Sequence, residues 1–263
     1  MQQRLTPSLI LALTFRHLQE QTQNSFLGWV WLIIGPLVQL GIYTVVFGVI
    51  FNRSFGVVDG ETTWHYALGV FIGMMLVQTI TEPMGIAPGL LTSQSNLVKK
   101  NALPLIVIPL AHTISSFLKL SLTLAAWSIG VIILQPSEAY VLLLLPVLIL
   151  PLFLIALGMN AGISAVSVYV GDFGQAIRML SQIVFWSSGV FYSRSEVEAY
   201  PQIWAFMRWN PLLHVIEESR RVLLWGVSLD FGFYIFSLIF GIVLCFVGVV
   251  VFGWLKRGFA DFV

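Results

Sequence analysis

The chain has 263 residues, of which 58% are apolar and 10% carry a charge, and its formal net charge is +1. A soluble domain typically has about 25% charged residues, so this composition excludes an ordinary soluble fold and indicates an integral membrane protein. The near-neutral charge also argues against a nucleic-acid partner, because phosphate binding requires a basic surface.

Residues 1–28 are predicted to form an interfacial helix. Thr6-Pro7 is a typical helix start, and residues 9–23 mix apolar and polar side chains as a helix lying flat on a membrane does. No small-residue cleavage site follows the apolar patch, so a cleaved signal peptide is not expected.

Six segments have the apolar character of membrane spans, and most reach the roughly 18 to 20 residues that a spanning helix needs. They cover residues 29–52, 64–91, 104–134, 140–170, 172–192 and 231–255. The predicted fold is therefore an all-α integral membrane protein, a single transmembrane domain over residues 1–263. Pro83 and Pro88 predict that the second span is bent or unwound near its end. An even number of spans places both termini on one side.

A polar, basic connection, residues 92–103, joins the second and third spans. Its adjacent Lys99 and Lys100 have no acidic neighbour, and positive charges concentrate in cytoplasmic loops. We therefore expect this connection and both termini to lie in the cytoplasm. The segment 194–226 then faces outward.

Charged residues are concentrated in this outward segment. Asn210 as N-cap, Pro211 at the first helical position and Gly226 after the last turn predict a helix over residues 211–225. A second short segment precedes it near residues 195–207, so two short outward helices are expected between the fifth and sixth spans.

Two interpretations of the helix over residues 211–225 remain open. In either case, Glu217 can pair with Arg220 and Arg221 at helical spacing. In one interpretation the helix lies on the outer leaflet with solvated charges, and in the other it is a re-entrant helix that lines an exit.

The sequence contains no glycine-rich phosphate-binding loop, no metalloprotease histidine pair and no cysteine pair, and its four histidines are scattered. We expect neither a metal site nor a catalytic site. Lys119, in the third span, is a functional candidate because a charge at bilayer centre is costly, and Glu82 is its conceivable partner. The glycine pairs Gly69/Gly73 and Gly158/Gly162 favour close helix packing, within the chain or between subunits.

An aromatic stripe follows the first span in four-residue steps, and a second aromatic group lies on the fifth span. One interpretation of such a stripe is ordinary packing or lipid contact. The other is a track along which sugar rings or an acyl chain slide. The candidate residues for this channel are Trp31, Gln39, Tyr43, Phe47, Phe51, Phe185, Trp186, Phe191 and Tyr192.

Several segments together resemble the membrane subunit of bacterial ABC exporters that move lipid-linked O-antigen, capsule or teichoic-acid polymers. The resemblance covers nearly the whole chain and depends on the order and spacing of the segments. They are residues 27–32 with Gly35-Pro36, residues 43–51, Asn96-Leu-Val-Lys-Lys100 with Pro104 and Pro109, Asp172-Phe173, Trp209-Asn-Pro-Leu-Leu-His214 and residues 255–260. The chain departs from many relatives at Ser188-Gly189, where they carry a proline-containing segment.

The resemblance implies an inner-membrane homodimer of six-span subunits with two copies of a cytoplasmic ATP-binding subunit. ATP and Mg²⁺ would be bound by that partner, and this chain would need no cofactor. A channel for the lipid-linked polysaccharide would lie between the protomers, lined by spans one and five. The implied ATPase-coupling residues are Asn96, Leu97, Val98, Lys99 and Lys100, and the implied exit residues are Asn210, Pro211, His214, Glu217, Arg220 and Arg221.

Two other functions compete with this one. An ABC exporter of smaller drugs or lipids would share the architecture. A membrane-embedded glycolipid-modifying enzyme would use Glu82, His112 or the Glu217-Glu218 pair as acid or base. An ion-coupled transporter is disfavoured, because such proteins usually show internal repeats.

Overall fold

The computed structural model describes residues 7–22, 28–51, 54–56, 61–99, 104–134 and 136–262. Regular secondary structure in these residues is entirely helical, as predicted. Predictions for residues 1–6, 23–27, 52–53 and 100–103 lie outside them. The α-helices are α1 (Pro7–Thr22), α2 (Trp31–Tyr43), α3 (Thr63–Ile86), α4 (Ser95–Lys99), α5 (Val107–Leu134), α6 (Leu145–Ser167), α7 (Phe173–Ser187), α8 (Arg194–Glu198), α9 (Pro201–Met207), α10 (Pro211–Trp225), α11 (Phe231–Leu255) and α12 (Phe259–Phe262).

Five helical segments in the described ranges are long and apolar enough to cross a membrane. They cover Ile33–Ile50, Thr63–Gly89, Val107–Ile132, Tyr140–Ser167 and Phe231–Gly258. The predicted fifth span, residues 172–192, is different because α7 has only 15 residues. That length gives about 22 Å, whereas the hydrocarbon core is about 30 Å thick. The chain leaves the helix before Gly189, whose φ is +81°. The helical part of the predicted fifth span therefore ends at Ser187.

Helical geometry changes at the ends of two spans. α2 continues as a π-helix over Thr44–Ile50, and π-helical turns are rare and often lie at functional sites. α3 contains Pro83 and passes into a 3₁₀ turn over Ala87–Gly89. The prediction that this span unwinds near its end is confirmed.

α6 and α11 lie side by side and run parallel. The Tyr234 hydroxyl, near the start of α11, donates to the Val147 carbonyl near the start of α6 (2.9 Å). The Tyr169 hydroxyl, just after α6, donates to the Leu255 carbonyl at the end of α11 (2.6 Å). The chain leaves α6 at one end of the pair and enters α11 at the other. The residues between them must therefore return through the thickness of the bundle.

Glycines let the backbones of α6 and α11 touch. A Cβ on Gly158 would lie 2.5 Å from the Leu244 carbonyl oxygen, and one on Gly248 would overlap the Gly158 carbonyl. The other predicted pair, Gly69 and Gly73, faces side chains of this same chain. Of the two interpretations of these small-residue pairs, packing within the chain is the one observed.

The two terminal helices lie at the same end of the bundle. Leu13 of α1 is buried against Val107 at the start of α5. Phe259 of α12 is buried in a cluster with Val98 of α4 and Phe252 of α11. This end, where α3 leads into α4, is called the α4 end below.

Replacing Gly248 by Ala should destabilise the protein, because its Cβ would push α11 away from the Gly158 backbone. Overpacking of this kind costs about 1–3 kcal/mol. Gly253→Ala, on the same helix, is the matched control because a Cβ there meets nothing within 4 Å. Thermal unfolding in detergent should show a lower midpoint for Gly248→Ala. For Gly253→Ala, the free energy of unfolding should change by no more than about 0.5 kcal/mol. Equal midpoints would contradict the close contact.

Candidate functional site

The aromatic residues predicted on the first and fifth spans meet in one cluster around Phe191. The ring centroid of Phe191 lies 5.0 Å from that of Tyr43 and 4.9 Å from that of Phe47. It lies 6.1 Å from Phe185 and 5.6 Å from Trp186. Phe191 itself is buried. The structure therefore brings the two predicted walls together and fills the space between them with one side chain.

The other predicted channel residues lie around this cluster. Phe51 is exposed at the end of the π-helix and lies 5.9 Å from Phe47. The Tyr192 hydroxyl donates to the Trp186 carbonyl (2.9 Å). Trp31 and Gln39 precede Tyr43 on α2 and line a separate polar cavity.

This polar cavity has a volume of about 370 Å³ and lies between α2, α3 and α5. Lys119 donates to both carboxylate oxygens of Glu82, at 2.9 and 2.7 Å, so the conceivable ion pair is formed. Gln78, which the sequence analysis did not single out, donates to the Gln39 amide oxygen (2.9 Å). The sequence signal that could have identified Gln78 is the presence of one glutamine in each of two apolar spans.

Arg220 is completely buried, which contradicts a solvated position on a surface helix. Its Nε donates to the Gly69 carbonyl of α3 (2.8 Å). Its Nη1 donates to the carbonyl of Gly189 (2.7 Å), and its Nη2 donates to that of Val190. The predicted partner, Glu217, is 3.9 Å away. The guanidinium therefore joins α10, α3 and the segment after α7.

The surroundings of Arg220 are shaped to receive a guanidinium. Its Cζ lies 4.3 Å from the ring centroid of Phe55, within cation–π distance. A Cβ on Gly73 would collide with the guanidinium, so only glycine leaves the space that it occupies. Burial lowers the pKa of Arg220 to about 10, which still keeps it charged at neutral pH.

The rest of α10 is also a core element. Every residue of the helix except Arg221 is buried, so the interpretation as a helix on the outer leaflet is wrong. The helix begins and ends as predicted, because the Asn210 side chain accepts from the Leu212 N–H (3.0 Å) and Gly226 has φ +61°. Asn210 also donates from Nδ2 to the Ser187 carbonyl (2.7 Å), which fixes α10 to the end of α7.

The carboxylates of α10 belong to an ion-pair network. Arg194 of α8 lies 3.2 Å from Glu218, whose other oxygen accepts from the Asp230 N–H (2.8 Å). The predicted partner of Glu217, Arg221, approaches Glu218 instead, at 4.0 Å. Burial raises the pKa of both Glu217 and Glu218, and the neighbouring arginines act in the opposite direction.

His214 has a structural environment. Its ring stacks on Phe233 with centroids 4.2 Å apart, and its Nε2 donates to the Arg208 carbonyl (2.7 Å). Burial lowers the pKa of His214. These contacts connect α10 to α9 and α11.

The predicted coupling residues lie at the α4 end. Asn96 and Lys99 are exposed, and Leu97 is half-buried. Val98 is 1% exposed and packs inside the protein, so it is not available to a partner. Lys100 lies outside the described residues. In the described ranges, no three histidine, cysteine, aspartate or glutamate residues are grouped to hold a metal ion.

Comparison with known proteins gives matches along most of the chain. The profile of a family described as ABC-2 type transporter matches residues 8–224. The O-antigen export system permease protein RfbA of Klebsiella pneumoniae is 21% identical over 256 residues, which are 96% of this chain and 94% of that protein. A protein of the same name from Myxococcus xanthus is 18% identical over 214 residues, which are 81% of this chain and 79% of that protein.

Replacing Arg220 by Lys should lower stability by at least about 2 kcal/mol, because an ammonium cannot reach all the carbonyls that the guanidinium fork satisfies. Arg221→Lys is the matched control, since this neighbour is partly exposed and approaches a single carboxylate. Thermal unfolding midpoints in detergent measure both effects. A midpoint for Arg220→Lys equal to that of Arg221→Lys would contradict the proposed bonding of Arg220.

Proposed function

Because the chain belongs to the ABC-2 type transporter family, we propose that it is the permease subunit of an ATP-driven exporter of lipid-linked polysaccharide of the O-antigen class. The observation that carries this proposal is the similarity, over 96% of the chain, to an O-antigen export permease. The sequence has no phosphate-binding loop. ATP and Mg²⁺ are therefore bound and used by a partner subunit.

The proposed assembly contains two copies of this chain and two ATP-binding subunits in the bacterial inner membrane. An exposed apolar face on α7 supports contact with a second copy or with the substrate. Met179, Ile183 and Trp186 on this face are each more than half exposed. The channel lies between the two copies and is lined by α2 and α7 of each.

The proposed topology has six crossings and both termini in the cytoplasm. The parallel arrangement of α6 and α11 supports it, because the chain must cross the bundle once between them. α7 supplies about 22 Å of this crossing, and the non-helical residues 188–193 supply the remainder. The shared position of α1 and α12 at the α4 end supports a common side for the termini. This end is the cytoplasmic end.

The aromatic cluster keeps its rings packed inside one copy of the chain. Phe191 fills the space between Tyr43 and Phe47 on α2 and Phe185 on α7. Because the proposed channel lies between the two copies, these rings reach it only if α2 and α7 of one copy move apart. The rings then offer flat apolar faces to successive sugars. ATP-driven closure of the partner subunits supplies the free energy for this movement.

Deleting the gene of this chain from its host should remove the long-chain polysaccharide from the cell surface and cause lipid-linked polymer to accumulate inside the cell. Gel analysis of surface and cytoplasmic fractions measures both pools. Complementation with the intact chain is the control. Unchanged surface polysaccharide would contradict the proposed function, and loss of resistance to small toxic compounds instead would favour the smaller-substrate exporter.

Leu97→Asp should release the ATP-binding subunit, because it places a charge on a half-buried apolar residue of the proposed contact surface. Val98 is unsuitable for this test since its side chain lies in the protein's own core. Phe206→Asp is the control, because Phe206 is 82% exposed on α9, near the opposite end. Affinity purification of the tagged chain should retain the partner with Phe206→Asp and lose it with Leu97→Asp. Retention with both would contradict the assignment of α4.

A further inference from the structure

The polar cavity between α2, α3 and α5 has a role that the aromatic channel does not explain. It lies toward the α4 end, because Trp31 begins α2 and Glu82 stands four residues before the end of α3. Glu82 is 48% exposed and Lys119 is 22% exposed. Charged groups are not left open to lipid, so this space faces water or a polar ligand. Its volume of about 370 Å³ is within the range of small-molecule sites, about 300–1000 Å³.

The walls of the cavity carry both hydrogen-bond donors and hydrogen-bond acceptors. The Gln39 amide oxygen is occupied by Gln78, so the Gln39 NH₂ group and the Gln78 amide oxygen are left to face a ligand. Thr79 and Thr123 also line the cavity, but both are buried and their hydroxyls donate to backbone carbonyls of their own helices. Lys119 and Glu82 neutralise each other. The site is therefore polar without a net charge.

This composition selects among ligand classes. A metal cation would meet the ammonium of Lys119, and a phosphate or diphosphate would meet the carboxylate of Glu82, so both are disfavoured. A hydroxyl group both donates and accepts, which matches the mixed wall. Trp31 is 51% exposed at the same cavity and offers a flat apolar face. A neutral sugar ring has hydroxyls at its edge and an apolar face, so it matches both features.

We propose that this cavity is a binding subsite for a neutral sugar ring, in which Gln39, Gln78, Glu82 and Lys119 bond the hydroxyls and Trp31 packs on the ring. The proposal rests on the polysaccharide-exporter function proposed above and adds where the sugar is first held. The cavity lies toward the proposed cytoplasmic end, so the subsite receives the polymer before it reaches the Phe191 cluster. Gln39 and Gln78 then discriminate sugars by the placement of their hydroxyls.

The test uses the full chain with its ATP-binding partner in lipid nanodiscs, labelled with 5-fluorotryptophan. The chain has 9 tryptophans, and the resonance that disappears in Trp31→Phe is assigned to Trp31. The probe is the oligosaccharide repeat released from the host's own polymer, and inorganic pyrophosphate is the second probe. We expect a saturable shift of the Trp31 resonance with the oligosaccharide and none with pyrophosphate.

Three variants separate binding from folding. Gln39→Leu and Gln78→Leu remove polar groups from the cavity, and each should weaken the oligosaccharide response by up to about tenfold. Ser121→Leu is the control, because Ser121 is exposed on the same helix as Lys119 but does not line the cavity. It should leave the response unchanged. Thermal midpoints check that the variants are folded.

Three results would overturn the subsite. The first is the absence of an oligosaccharide response at Trp31, and the second is a response that folded Gln39→Leu and Gln78→Leu retain in full. The third is a response to pyrophosphate alone, which would identify a diphosphate site. Each result leaves the proposed function intact if deletion of the chain still abolishes surface polysaccharide. Unchanged surface polysaccharide after deletion would instead remove the proposed function itself.

Discussion

The buried guanidinium of Arg220 determines where three separate parts of the chain meet. One side chain of α10 satisfies carbonyls of Gly69 in α3 and of Gly189 and Val190 after α7. A backbone carbonyl buried without a donor costs about 1–3 kcal/mol, so the turn at Gly189 depends on this donor. That turn positions Phe191, and Phe191 joins α2 to α7. The closed arrangement of the aromatic cluster therefore begins with a charge buried in an apolar core.

The attachment of α2 contrasts with that of the other long helices. α6 and α11 touch through glycine backbones, and α3 is buried along most of its length. The α2 span is largely exposed, and the contacts that hold it include the Gln39–Gln78 hydrogen bond, the rings around Phe191 and the close approach of Gly48 to Thr63. The polar cavity beside it further reduces close packing. Among the five long segments in the described ranges, α2 is therefore the least buried.

Local patterns in the sequence predicted the elements that depend on local chemistry. The bounds of α10 followed from Asn210, Pro211 and Gly226, because caps act within one turn. Glu82 was named as a conceivable partner of Lys119 because each charge in a span needs a partner, but the sequence left open whether the two pair. The burial of Arg220 was not predicted. Spacing along one helix indicates only neighbours on that helix. The acceptors of Arg220 include the Gly69 carbonyl, 151 positions away in the sequence. The end of α7 at Ser187 was not predicted for the same reason, since it is set by the turn that Arg220 holds.

The burial of Val98 has a mechanical meaning for the protein. This residue of α4 shares one apolar cluster with Leu91 after α3 and with Phe252 near the end of α11. In the proposed assembly, a load that the ATP-binding subunit applies to α4 would therefore pass first to the glycine-packed pair of α6 and α11. A short helix at one membrane surface would thus act on the packed core of the protein rather than on a single span.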